Sequence, residues 1–210
     1  MSGPHQHQPL ERTGTDLADA AAAVVLVHGR GATADSILRM ADGFPEGVAA
    51  LAPQAAGNTW YPNPFTAPVE TNEPGRSSGV RAVGDAVATA TDAGLARERV
   101  ALVGFSQGAC LASEFVARHP DRYGGLAALS GGLIGESIDP DDYDGDLDGM
   151  SVFLGCSNVD PHIPAERVHE TAAVFERLGA DVTERLYEGM GHGVNAEERD
   201  RVRAMVAALV

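Results

Sequence analysis

Apolar residues in this chain come in short unbroken runs, separated by stretches where they recur at helical spacing. Residues 21–28, 48–52, 99–105, 125–129 and 151–155 read as buried strands, because a strand covered on both faces needs no polar alternation. Residues 181–187 read as one more strand. Between these runs the spacing predicts helices. One covers 33–42, and a second carries Val80, Val83, Val87 and Ala90 up to Gly94. A third covers 107–119 and ends at Pro120. A fourth carries Val168, Ala172, Phe175 and Leu178 and stops at Gly179. A last helix follows Asn195, which forms a capping-box pattern with Glu198. Strand and helix alternate throughout. That predicts an α/β fold with a mostly parallel sheet covered on both faces, and ligands bound beyond the carboxyl ends of its strands.

Residues 1–20 are polar and predict a partly flexible segment ahead of a single domain over 21–210. Residues 54–78 are rich in Pro, Asn, Thr and Gly. A loop this long in a compact domain is usually functional or mobile.

The third helix begins directly after Gly104-Phe105-Ser106-Gln107-Gly108, a G-x-S-x-G between a strand and a helix. A turn this tight holds the serine in a strained, exposed position at the sheet edge. The amide of Gln107, at the helix N-terminus, is then placed to face an oxyanion. Gly75-Arg76-Ser77-Ser78-Gly79 has the same pattern, but no strand precedes it. It reads as a loop running into a helix N-cap. Serine needs a base, and the base an orienting group. The loop after residues 151–155 carries Asp160, and the loop after 181–187 carries His192 between glycines. Both fall at the same sheet edge as Ser106. The Gly29-Arg30-Gly31 loop after the first strand could add a second oxyanion donor. His162 competes as the base, although a bond to neighbouring Asp160 would not bring it to Ser106. His28 reads as a residue that shapes the first loop.

Together H-G-R-G-A (28–32), G-F-S-Q-G-A (104–109), D-P-H-I-P (160–164) and Y-E-G-M-G-H (187–192) resemble the phospholipase/carboxylesterase branch of the α/β-hydrolases, which includes acyl-protein thioesterases. The resemblance spans most of the chain. It implies an α/β-hydrolase fold without a large cap domain. It implies a Ser106–His192–Asp160 triad, with the Arg30 and Gln107 amides as oxyanion donors and Trp60 near the acyl pocket. The implied activity is hydrolysis of carboxylic esters or thioesters through an acyl-enzyme, with no cofactor or metal. A small or apolar residue often stands at the position of Arg30 in relatives, so a guanidinium bordering the site is a departure. A non-catalytic binding protein of the same fold predicts a damaged triad or elbow. Peroxide-dependent acyl transfer would use the same three residues and stays open.

Composition narrows the rest. There are 30 acidic and 15 basic residues, for a formal net charge of −15, and every basic residue is Arg. The absence of Lys excludes a P-loop lysine, a Schiff-base lysine and a Ser–Lys dyad. The acidic balance argues against a nucleic-acid partner. It fits a protein that works in high salt, with an arginine-favouring coding bias as the alternative. No apolar run is long enough for a membrane span. Cys110 and Cys156 have no metal-like spacing and read as buried thiols of a cytoplasmic protein. Either a monomer or a homodimer is compatible. The acidic run 139–149 places Asp144, Asp146 and Asp148 as in a calcium loop. Gly155 falls where the closing Glu is needed, so the run reads as solvated loop. His5 and His7 read as tail residues that bind nothing tightly.

Overall fold

β2 (Ala22–Val27) is buried at every position, and its alternate side chains enter two different cores. Ala23, Val25 and Val27 face one layer of helices, whereas Ala22, Val24 and Leu26 face the other. This follows from the two-residue period of a strand, and it explains the unbroken apolar runs. In the computed structural model, which describes residues 3–210, β2 lies inside a seven-stranded sheet. The other strands are β1 (Leu10–Gly14), β3 (Val48–Pro53), β4 (Val100–Phe105), β5 (Gly125–Leu129), β6 (Ser151–Ser157) and β7 (Asp181–Tyr187). Their order is β1-β3-β2-β4-β5-β6-β7, and all pairs are parallel except β1 with β3.

α2 (Gly75–Asp92), α3 (Gln107–Arg118) and α4 (Ala165–Arg177) cover one face, with Val83, Val116 and Phe175 in the core. α1 (Ala34–Leu38) and α5 (Ala196–Ala207) cover the other with Ile37, Val202 and Val206. The chain leaves β2 toward β3 and returns to β4 on the opposite side of β2. That reversal opens a crevice between the carboxyl ends of β2 and β4, where sheets of this kind bind ligands. No helix among the described residues is long and apolar enough to cross a membrane.

Three features depart from the sequence expectation. The polar segment 1–20 contains β1, whose residues Glu11 and Arg12 lie on an exposed edge. Charged edge strands carry little apolar signal and discourage further pairing. His5 is buried, and its ring joins Ala56 N to Trp60 O at 3.0 and 2.9 Å. Finally, α2 begins at Gly75, so the second G-x-S-x-G forms the start of a helix. There the Ser77 hydroxyl donates to Glu73 Oε1 at 2.8 Å.

Candidate active site

Ser106 has φ 56° and ψ −122°, a conformation that costs a non-glycine residue about 1–3 kcal/mol. The surroundings hold it there. Its amide donates to Leu129 O of β5 at 2.9 Å, and its carbonyl accepts the Cys110 amide of α3 at 3.0 Å. A Cβ on Gly108 would collide with the Val27 carbonyl, and one on Gly104 with the Gly108 carbonyl. The two glycines are therefore what lets β2, β4 and α3 close around the serine.

His192 reaches Ser106 from the loop after β7. Its Nε2 lies 2.9 Å from Ser106 Oγ, and its Nδ1 lies 2.8 Å from Asp160 Oδ2. The Asp160 side chain is fully buried. Burial alone would raise its pKa, but hydrogen bonds from the His162 amide, the His192 ring and the Ile163 amide outweigh that and hold it below the ordinary carboxylate value. An ionised carboxylate can only accept. In the neutral ring Nδ1 therefore carries the proton, and Nε2 presents its lone pair to the serine hydroxyl.

The His192 loop is anchored by groups that motif reading passes over. Ser130 Oγ donates to Gly193 O at 3.2 Å, Ser157 Oγ accepts the Gly191 amide at 3.1 Å, and Asn158 Oδ1 accepts the Gly189 amide at 3.1 Å. Polar residues at or just past the ends of β5 and β6 are the signal that could have drawn attention to them. Below, the Asn195–Glu198 capping box starts α5.

His28 is a neutral strut. Its Nε2 accepts the Ala55 amide, so the proton on Nδ1 goes to Gly29 O at 2.8 Å, and burial lowers its pKa. His162 stands edge-on to His192 with centroids 4.9 Å apart, while its main-chain amide, not its ring, bonds Asp160. Cys110 and Cys156 are buried free thiols. Burial pushes them up to about 11 and about 12, so neither supplies a thiolate at neutral pH.

A cavity of about 420 Å³ opens onto Ser106 and His192, with Arg30, Tyr61, Phe65, Cys110 and Ile163 among its walls. Trp60 is not among the residues lining it. Its ring is fully buried between His5 and His28, with Nε1 donating to His28 O at 2.8 Å. The family resemblance implies Trp60 near the pocket as a substrate-binding residue; it stands behind this cavity, and its chain neighbours line it. Trp60 supports the wall from behind, and Tyr61 to Phe65 form it.

Gln107 is the first residue of α3, so no intrahelical carbonyl is available to its amide. The Arg30 loop lies close by: a Cβ on Gly29 would be 3.2 Å from the Ser106 Cβ. Both side chains have a task the sequence did not announce. Arg30 donates to the carbonyls of Tyr61, Pro62 and Asn63 at 2.9–3.0 Å. Gln107 donates to Tyr61 O at 2.8 Å and accepts the Trp60 amide at 3.2 Å.

With this geometry established, residues 15–209 match the phospholipase/carboxylesterase family model. The chain belongs to that family. A phospholipase/carboxylesterase from Dyadobacter fermentans is 37% identical, with a TM-score of 0.91 over 95% of this chain and 96% of that one. Acyl-protein thioesterase 1 of Gibberella zeae is 33% identical over 120 residues, or 55% of this chain and 50% of that protein. The Kluyveromyces lactis protein of the same name is 31% identical over 140 residues, or 64% and 61%. The chain therefore spans between half and two thirds of these two curated relatives. As a phospholipase/carboxylesterase family member it has the α/β-hydrolase fold, with the largely apolar cavity at the sheet's carboxyl edge.

Proposed function

We propose that the protein is a serine hydrolase that cleaves carboxylic esters or thioesters through an acyl-enzyme. The unbroken hydrogen-bond chain from Ser106 Oγ through the His192 ring to buried Asp160 carries this reading. Family membership and the acyl-protein thioesterase relatives support the substrate class.

In the first half-reaction Ser106 Oγ attacks the acyl carbonyl while His192 Nε2 takes its proton. Asp160 holds the tautomer and stabilises the imidazolium. The amides of Gln107 and Arg30 donate to the tetrahedral oxyanion. The oxyanion collapses, His192 protonates the departing alkoxide or thiolate, and the acyl group stays on Ser106. Water then enters and attacks the acyl carbonyl while giving a proton to His192 Nε2. The second oxyanion collapses, the C–Oγ bond breaks as His192 returns that proton to Ser106 Oγ, and the acid leaves. The strain at Ser106 keeps the hydroxyl at the mouth of α3, where the helix N-terminus favours negative charge.

The reading is tested with 4-nitrophenyl esters and acyl-coenzyme A thioesters of increasing chain length, and with a fluorophosphonate probe. Hydrolysis is expected, with labelling at Ser106 and none at Ser77. Full labelling of a Ser106→Ala variant would refute the assignment.

A further inference from the structure

Arg30 is the one arginine lining the cavity onto which Ser106 and His192 open. In a chain of net charge −15, many arginines pair with carboxylates, as Arg76 and Arg118 do with Glu114, while others, such as Arg199, bond a main-chain carbonyl. Arg30 bonds three main-chain carbonyls, and no carboxylate pairs with it among the described residues. No Asp or Glu lines the cavity it shares with Ser106 and His192. A guanidinium has five N–H donors. The three carbonyls engage one on Nη1 and both on Nη2, which leaves Nε–H and one Nη1–H uncommitted.

Neutral carbonyls do not require a cation. Gln107 already holds Tyr61 O with an uncharged carboxamide. The positive charge of Arg30, an exposed residue, thus stands without a paired carboxylate on the wall of the cavity that holds the proposed nucleophile. An anion brought there would form charge-assisted hydrogen bonds to a planar, pre-positioned donor. We infer that the preferred substrates are esters or thioesters carrying an anionic group, a carboxylate or a phosphate, held by the Arg30 guanidinium. The inference rests on the hydrolase reading and narrows its substrate class. The anion can belong to the acyl part or to the leaving group, since both must cross the same cavity.

Three esters separate these cases: phenyl butyrate, its acyl-carboxylate counterpart monophenyl succinate, and 4-carboxyphenyl butyrate, whose leaving group bears the charge. Wild-type kcat/KM is expected to be higher for one of the two anionic esters than for the neutral one. Arg30→Met should lower that anionic-to-neutral ratio by about tenfold or more, as expected for a lost hydrogen bond to a charged group. Arg30→Lys should retain most of it. If the side chain only braces residues 61–63, Arg30→Met lowers all three rates by one factor and the ratio does not move.

Salt supplies a second readout that needs no variant. Screening by about 1 M NaCl should lower the wild-type ratio if the local cation governs. The ratio should rise if repulsion from the net charge of −15 governs, and that result overturns the inference. Loss of phenyl butyrate hydrolysis in Ser106→Ala tests the hydrolase reading separately. If no ester is cleaved by the wild type, that reading fails. If phenyl butyrate is cleaved as well as either anionic ester, only the anion assignment fails.

Discussion

The Gln107 carboxamide, one residue past the proposed nucleophile, clasps the main chain on both sides of Trp60–Tyr61. It accepts the Trp60 amide at 3.2 Å and donates to the Tyr61 carbonyl at 2.8 Å. The residue whose amide is assigned to the oxyanion also fixes the pocket wall. Removing the side chain leaves a buried amide unpaired, so Gln107→Ala should cost about 1–3 kcal/mol of stability. Trp60 is the sole tryptophan, and its emission should move to the red as the clasp loosens. Denaturant unfolding followed by fluorescence reads both, and an unchanged midpoint and spectrum would count against the clasp.

Replacing Ser106 separates chemistry from strain. Ser106→Ala should lower kcat by about 10⁴–10⁶. Ser106→Gly should be equally inactive yet more stable than Ser106→Ala by about 0.5–1 kcal/mol, because glycine adopts φ 56° without a Cβ penalty. The paired melting curves check this. Equal stability would mean that the elbow is not strained.

The two histidines and Asp160 make distinct predictions. His192→Ala should be nearly inactive, whereas His162→Ala should keep substantial activity, since His192 Nε2 is the ring nitrogen bonded to Ser106. Asp160→Asn should lower the rate by about 10²–10⁴ through loss of the correct tautomer. Steady-state kinetics on a 4-nitrophenyl ester decides, and the reverse order of the two histidine variants would move the base to His162.

Two carboxylates give stability opposite dependences on pH. The lowered pKa of Asp160 contributes stability above its unfolded value, lost as pH falls through the folded one. Burial raises the pKa of Glu198, whose Oε1 has no partner. Its contribution is therefore present below the unfolded pKa and lost as pH rises through the folded one. Glu198→Gln can still accept the Asn195 amide without burying a charge. It should melt higher than wild type at neutral pH, with the advantage shrinking in acid. A difference independent of pH would remove Glu198 from this role.

Added salt should stabilise the protein. The Debye length falls from about 30 Å at 0.01 M to about 3 Å at 1 M, so self-repulsion of a net charge of −15 is screened. A melting temperature that rises between about 0.05 M and about 1 M KCl is expected. A flat or falling series would leave coding bias as the reason for the composition.

The sequence by itself determined the interior strands, the helices that cover them and the loops that carry Ser106, Asp160 and His192. Those features are written in local patterns: apolar runs where both strand faces are buried, and glycines where chains must approach. β1 escaped because an edge strand buries little, and His5 because its partners, Ala56 N and Trp60 O, are distant in the chain. Only the tertiary structure brought His192 Nε2 to Ser106 Oγ, turned Trp60 into the core behind the wall, and joined Arg30 and Gln107 to Tyr61 O. The physical reason is the same in each case. Hydrogen bonds between loops at the ends of different strands depend on strand order and register, and neither is encoded in the spacing of residues along one segment.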